Sequence, residues 1–388
     1  MPSGSPLTDA TAIVGVGQTA FAKHLEPSEH ELALQAILAA LDDAGIHPWE
    51  VDGLASYTLE ATEEIEIARN LGCRAVTWFA QVGYGGGAGC GVVGNAAMAV
   101  ASGQCEVAVA WRSRKRGAAS SRPWAGVSDR VGGNQQWSRP FGLLRPVDEI
   151  AMLTRRYMHA YGATREHLCN VATAVRAHAN RNPAAMMHAK PMTRDDYFAA
   201  RWVSEPLCLF DNCLETDGAG AVVIVRADRA ADTKGTPVLV HAFAQSIPDQ
   251  HQTMTNYFTD DPLLGPAHAC AERLWRNAAF GPADLDVAQL YDAFSPLVIL
   301  SLEGYGICGR GEGAAFTDDG ALGPGGRLPV NTSGGGMSEA YVHGFNLITE
   351  GVRQLRGTST SQVPDAETCL VTSGEGVPTS ALLLRRPG

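Results

Sequence analysis

Positive charge is scarce in this chain. Among 388 residues, 30 lysines and arginines stand against 41 aspartates and glutamates, a net charge of -11. No basic stripe is available to track a nucleic-acid backbone, so that class of partner is excluded. Apolar runs are also short, none approaching transmembrane length, and Met1 to Ala10 lacks the charged and apolar regions of a signal peptide. No membrane association is expected, and a cytoplasmic location is. The nine cysteines form no paired metal spacing, and their odd number does not suggest a disulfide framework. The eleven histidines form no HExxH or comparable ligand motif, so no metal or other cofactor is expected.

What remains is an ordinary globular composition, 45% hydrophobic and 18% charged, long enough for two or three domain-sized units. Thr11 to Gly17 reads as a buried strand, and Glu31 to Ala44 as a helix stopped by Gly45. Strands are expected at Val51 to Tyr57, Val76 to Val82 and Glu106 to Trp111, with a helix at Ile65 to Leu71. Ala88 to Ala101 is small and apolar on every side, the mark of a helix buried all round. The order of glycine turn, helix and strand at residues 85 to 111 returns at Gly334 to Thr372, and Val287 to Tyr291 stands in the later half as Val51 to Tyr57 stands in the earlier. The chain therefore reads as two duplicated α/β halves, residues 1–230 and 231–388, joined near Asp228 to Pro237. An insertion at about 112–207 in the first half carries helices expected at Glu149 to Tyr161 and Arg165 to Ala179. It reads as a lid, substrate wall or interface, or as an extra helical layer.

The stretch Val330-Asn-Thr-Ser-Gly-Gly-Gly-Met-Ser-Glu-Ala-Tyr-Val-His-Gly344 organises the later half. Tyr341, Phe345, Ile348, Val352 and Leu355 recur at one helical face, predicting a helix from the glycine turn to Gly357 with Ser338 as cap and Glu339 in its first turn. The backbone N-H groups of Gly335 and Gly336 would then favour negative charge, as on a thioester oxygen becoming an enolate, with Tyr341 and His343 where those donors point. Asp292, beside Tyr291, reads as a structural turn carboxylate. The basic cluster Arg112, Arg114, Lys115 and Arg116 reads as a solvated loop, with a CoA phosphate contact as the alternative.

The two halves, the buried glycine-rich helix, Leu209-Phe-Asp-Asn-Cys-Leu-Glu-Thr-Asp-Gly-Ala-Gly-Ala-Val-Val, Tyr291-Asp-Ala-Phe-Ser295 and Asn331-Thr-Ser-Gly-Gly335 together resemble the thiolase superfamily, most of all its sterol-carrier-protein type. The resemblance implies a five-layer αβαβα thiolase fold of two βαβαβαββ halves, dimerised through the first-half sheets. The departures from it narrow the function. The family's nucleophilic cysteine falls at or near Gly86, with Cys90 a helical turn further in and read as packing. Its GHP histidine is replaced by Tyr341, its second cysteine aligns near Ser373, and the residue opening its NEAF-type motif is Tyr291. Acyl transfer through a cysteine thioester is thereby lost, while the cradle for an acyl-CoA enolate is kept.

That pattern resembles the Ltp2-like steroid side-chain-cleaving aldolases of bacterial sterol and bile-acid degradation. The resemblance implies retro-aldol cleavage of a β-hydroxyacyl-CoA whose hydroxyl carbon is C17 of a steroid, giving a 17-ketosteroid and propionyl-CoA or acetyl-CoA. It also implies a DUF35-type partner, an OB-fold protein that often carries zinc and can be fused to a MaoC-like hydratase. Tyr291 and Tyr341 are the candidates for proton transfer, with Tyr341 placed at the hydroxyl, Tyr291 at the enolate, and the reverse assignment left open. His343 is a neighbour that would favour a tyrosine anion, although positions 341 and 343 would point to different sides of a helix. Gly86, Gly335, Gly336, Gly374 and Gly376 are candidates for the enolate-binding backbone. Only four lysines occur, none in the motifs, which speaks against a Schiff-base aldolase. Trp124, Trp137, Phe141, Met152, Met186 and Met187 are candidates for an apolar steroid wall. The competing readings are a Cys-dependent thiolase or acetyl-CoA acetyltransferase, and an inactive thiolase-like scaffold for a partner enzyme.

Overall fold

The computed structural model describes residues 5–115, 133, 135–250, 259–376 and 378–388. The first half opens with β1 (Thr11–Gln18), α1 (Glu29–Ala44), β2 (Gly53–Tyr57), α2 (Glu64–Leu71), β3 (Trp78–Val82), α3 (Gly89–Ala101) and β4 (Val107–Arg114). The insertion follows as α4 (Gln135–Ser138), α5 (Pro146–Tyr161), α6 (Arg165–Ala179), α7 (Arg194–Ala199) and the short strands β5 (Trp202–Ser204) and β6 (Leu207–Cys208). After β7 (Gly218–Arg226) come β8 (Val238–Ser246), α8 (Pro266–Arg276), β9 (Val287–Gln289), α9 (Ser295–Gly304), α10 (Gly313–Phe316), α11 (Phe345–Arg356), β10 (Thr368–Ser373) and β11 (Thr379–Arg385).

The strands run in the order β3-β2-β4-β7-β1-β8-β11-β10-β9. Read outward from the β1/β8 junction, the two directions are alike: an antiparallel neighbour (β7, β11), a second antiparallel pairing (β4, β10), then a parallel strand (β2, β9). β3 lies parallel beyond β2, and Val330 bridges Ala288 of β9 in parallel as its counterpart. The glycine turn after β3 leads to α3, and the one after Val330 leads towards α11. The duplication expected from the sequence is thus present in strand order and direction. The halves meet where Ala12 and Ile13 pair with Leu239 and Val238.

α1 covers the outer face of β1, β7 and β4 with Leu32, Ala36, Ile37, Ala40 and Leu41. Ser28 caps it, accepting from Glu31 N while the Glu31 carboxylate accepts from Ser28 N, and Gly45 ends it at φ 70°. α3 and α11 lie between the half-sheets, and α3 touches β2, β4 and β7 on one side and β8, β10 and β11 on the other. That is why its residues are small: a Cβ at Gly94 would overlap the Phe243 ring. α8 packs outside β8 and β11. The five layers expected of the fold follow. Among the described residues no helix is long and apolar enough to cross a membrane.

One element differs from expectation at the place that matters most. The predicted helix through Tyr341 is instead a single π-turn (Gly335–Glu339), an extended Ala340 at φ -167° and ψ 147°, and positive φ at His343 and Gly344, with α11 starting only at Phe345. The Glu339 carboxylate accepts from Ser333 Oγ, Asn182 Nδ2 and Asn346 Nδ2 at 2.6, 3.1 and 2.9 Å, which pins the turn from inside. Ser338 therefore caps nothing; its hydroxyl accepts from Arg176 Nε at 2.9 Å.

β1 and α1 are in backbone contact because Gly15 and Gly17 lack side chains: a Cβ at Gly17 would overlap Ala36 O and Ala40 N. Gly17→Ala is expected to lower stability by about 1–3 kcal/mol, the usual range for overpacking. A denaturation midpoint equal to that of the parent would contradict this seating.

Candidate active site

Tyr291 leaves the end of β9 held on both sides. Leu290 N donates to Asn331 Oδ1 at 2.7 Å, Asn331 Nδ2 returns a bond to Leu290 O at 2.8 Å, and Tyr291 N donates to Thr372 Oγ1 at 2.9 Å. Its ring lies between two glycines. A Cβ at Gly344 would come within 2.9 Å of the ring, and a Cβ at Gly86 would overlap the hydroxyl. Tyr341 is fixed through its N-H, which donates to Thr216 Oγ1 at 2.9 Å. The two tyrosine hydroxyls lie 2.5 Å apart, and both rings are largely buried.

His343 joins them. Because residues 340–344 are an irregular turn rather than a helix, Tyr341 and His343 are brought together, and the two rings meet edge to face with centroids 5.4 Å apart. Behind His343 stands Arg112, whose Nη2 lies 3.1 Å from His343 Nδ1 and whose Nη1 lies 3.0 Å from the Glu60 carboxylate. This corrects the reading of residues 112–116 as a solvated loop: Arg112 is fully buried, since it belongs to the inward end of β4. Lys115 donates to the carbonyls of Leu25, Glu26 and Pro27, and Arg116 lies outside the described residues.

The proposed glycine donors divide. Gly336 N donates to Asp292 Oδ1 at 2.7 Å and Met337 N to Asp292 Oδ2 at 3.2 Å, so Asp292 takes the turn's donors and Gly336 has none left for an enolate. Gly335 packs against the same carboxylate, and a Cβ there would overlap it. Gly374 and Gly376, at φ 79° and 83°, bracket Glu375, and it is Glu375 that reaches the cavity wall. Gly86 does line the cavity, beside Tyr291.

That cavity, about 1240 Å³, is where Tyr291, Tyr341 and His343 meet. The insertion supplies much of its wall, including Val147, Met186, Met187 and Val203, opposite Phe294 and Leu297. Of the expected steroid wall, Met186 and Met187 are in place. Trp137, Phe141 and Met152 are not: they point to solvent, Phe141 being 82% exposed, and Trp124 lies outside the described residues. Lys23, Arg145, Arg176, Lys190 and Arg201 also line the cavity, a concentration of cations in an acidic chain. Among the described residues no three His, Cys, Asp or Glu side chains converge as a metal site requires.

Comparison with known proteins places this geometry. Residues 249–384 match the thiolase C-terminal domain-like family. The chain is 45% identical to the 17-hydroxy-3-oxo-4-pregnene-20-carboxyl-CoA lyase of Mycobacterium tuberculosis, over 97% of this chain and 100% of that one. It is also 45% identical to the steroid side-chain-cleaving aldolase of Thermomonospora curvata, over 98% and 99%. A solved Ltp2-ChsH2(DUF35) aldolase superposes with a TM-score of 0.93 at 44% identity, covering 98% of this chain and 99% of that one. The chain belongs to the steroid side-chain-cleaving aldolases of the thiolase superfamily.

Membership in this branch gives the cysteines a different meaning. Cys90 is buried, accepts from Ser373 Oγ at 3.2 Å, and has its thiol pushed up to about 12 by burial, which removes the thiolate a nucleophile needs. Burial first, and the neighbouring Tyr341 second, hold the Tyr291 phenol well above its ordinary range, so it keeps its proton. Two wall residues escaped the sequence reading. Glu375 accepts from Ala267 N at 3.0 Å and is pushed up to about 8 by burial, and Cys213 lines the cavity. Glu375 carried a faint signal as the residue between two glycines; Cys213 carried none.

The overlap at Gly86 is a direct handle on Tyr291. Gly86→Ala would displace the hydroxyl by about 1 Å or more, and a misplacement of that size costs on the order of 10²-fold in rate. Cleavage is expected to fall accordingly while circular dichroism and the melting curve stay near those of the parent. Undiminished cleavage would remove the Tyr291 hydroxyl from the chemistry.

Proposed function

We propose that the chain cleaves the side chain of a 17-hydroxy steroid acyl-CoA by a retro-aldol reaction, releasing a 17-ketosteroid and propionyl-CoA or acetyl-CoA. The observation that carries this reading is the Tyr291–Tyr341 hydroxyl pair at the cavity wall, filling the space where a cysteine-dependent thiolase would need its nucleophile. The names of its 45% identical relatives, a steroid acyl-CoA lyase and a steroid side-chain-cleaving aldolase, agree with it.

In this mechanism Tyr341 accepts the proton of the tertiary hydroxyl, and the O-H electron pair becomes the second bond of the ketone. The bond from that carbon to the carbon α to the thioester breaks. Its electrons move to the α carbon and onto the thioester oxygen as an enolate. Tyr291, which burial keeps protonated, delivers the proton that completes the acyl-CoA, and the 2.5 Å bond between the phenols returns the proton gained by Tyr341. No acyl-enzyme forms, and no cofactor is invoked. His343 stands beside Tyr341 as the donor for negative charge on oxygen.

The apolar wall of Met186, Met187, Phe294 and Leu297 suits a steroid nucleus, and the cations at the cavity suit the phosphates of CoA. Two associations complete the proposal. The first is a homodimer through β3, an edge strand whose Phe79 is 69% exposed, with Ile65 and Tyr84 also exposed on the first-half side. The second is a DUF35 partner, for which the Ltp2-ChsH2(DUF35) aldolase is the precedent. In the extended form of the proposal that partner carries zinc and a MaoC-like hydratase supplying the β-hydroxyacyl-CoA, and the assembly works in the cytoplasm.

Cys213 in the cavity wall keeps a cysteine-dependent thiolase as the second reading. The two separate by product analysis after incubating the protein and its DUF35 partner with a 17-hydroxy-steroid propionyl-CoA and no free CoA. The expected products are a 17-ketosteroid and propionyl-CoA, unaffected by Cys213→Ser and lost in Tyr341→Phe. Cleavage only of a β-ketoacyl-CoA, dependent on free CoA and abolished by Cys213→Ser, would establish the thiolase instead. Full activity of the assembly with both tyrosines replaced by Phe would leave the chain a scaffold.

A further inference from the structure

Arg112 and Glu60 are charged, fully buried, and outside the proton-transfer steps above. Glu60 is saturated: besides Arg112 Nη1 it accepts from Ser113 N at 2.8 Å, from Thr62 Oγ1 at 3.0 Å and from the Ser113 hydroxyl. Arg112 has its guanidinium 4.9 Å above the Tyr57 ring, and the Tyr57 hydroxyl donates to His343 O at 3.3 Å. The histidine backbone, at φ 54°, is therefore held through its carbonyl while its ring is held through Nδ1.

The chemistry of the Arg112–His343 contact leaves one arrangement. A guanidinium has only donors and does not lose its proton in proteins, so at 3.1 Å it donates and Nδ1 accepts. His343 Nδ1 then carries no proton, and a neutral imidazole with Nδ1 bare has its proton on Nε2. An imidazolium would set two donors and two positive charges against each other at 3.1 Å in a buried site. Glu60 matters because it neutralises a buried guanidinium that would otherwise be too costly to keep in place.

We infer that Glu60 and Arg112 are positioning residues that hold His343 as a neutral imidazole whose Nε2-H is the donor to the negative oxygen formed during cleavage. The tautomer is a property of the resting protein; the use made of it rests on the aldolase reading. Among the described residues, the ionisable groups around His343 are Arg112 from β4 with Glu60 behind it, Tyr57 from β2 at its carbonyl, Tyr341 from its own segment, and Tyr291, which bonds Tyr341, from the end of β9. Arg112 is the one among them that can only donate.

Two measurements test the inference. In the full chain labelled with ¹⁵N-histidine, with His343 assigned by comparison with His343→Gln, the Nε2-H tautomer is expected at neutral pH. An Nδ1-H or doubly protonated ring would overturn the inference, whether or not the protein cleaves any steroid. In the complex with its partner, Arg112→Met is expected to lower kcat by about 10-fold or more, towards the 10²-fold lost with one oxyanion donor, with KM within about twofold. A loss confined to KM, or no change in kcat in a protein that melts like the parent, would overturn the positioning role. An Nε2-H tautomer in a chain that cleaves no steroid acyl-CoA would sink the aldolase reading and leave the Arg112 assignment standing.

Discussion

Two phenol oxygens 2.5 Å apart at a cavity wall can be held only if several other parts of the molecule give way to them. Gly86 gives way first, since any side chain there would occupy the Tyr291 hydroxyl position, and Gly344 leaves room for the ring. The partner oxygen comes from a segment that must not be helical. Helical dihedrals at 340–343 would turn Tyr341 and His343 to different sides, whereas the irregular turn presents both to the cavity. Buried carboxylates hold that stretch. Glu339 gathers three side-chain donors inside the turn, and Asp292, next to Tyr291 in sequence, takes the N-H groups of Gly336 and Met337. The carboxylate beside one tyrosine thereby anchors the loop that carries the other, and the register between the two hydroxyls is built into the fold.

Burial does two kinds of work around this pair. It raises the proton affinity of Tyr291 and Glu375 in the wall and of Cys90 and Asp292 behind it, so the phenol keeps its proton and the thiol is no nucleophile. It also makes the buried ion pair Glu60–Arg112 a rigid fixture, because neither partner has anywhere else to go. A thiolase-type cradle from which the thiolate has been removed still has donors and an apolar slot. Those are the parts a carbon-carbon cleavage next to a thioester requires.

Much of the fold was legible in the sequence, for physical reasons that also explain the misses. The duplicated order of strand, glycine turn and helix shows because each half must bury the same kind of layered surface, and the small all-round apolar run of α3 shows because nothing larger fits between two sheets. Tyr291, Tyr341 and Gly86 were legible as departures from a motif, yet that the tyrosine occupies the glycine's space is a fact of three dimensions. The predicted helix through Tyr341 failed because its apolar spacing was a coincidence: Phe345 onward is helical, while Tyr341 faces a cavity and Glu339 a buried polar cluster. Arg112 was misread because a run of basic residues at a strand end looks the same whether it enters solvent or a core. Its buried partner Glu60 lies 52 residues earlier, with no motif to link them.

The central claim is that a phenol pair carries out the cleavage without any acyl-enzyme. Intact-mass spectrometry of the protein, acid-quenched while it turns over a 17-hydroxy-steroid acyl-CoA with its partner present, tests this directly. The account predicts the unmodified mass at every time point while 17-ketosteroid and acyl-CoA accumulate. A transient gain of one acyl group on a cysteine, appearing and decaying at the rate of product formation, would contradict it.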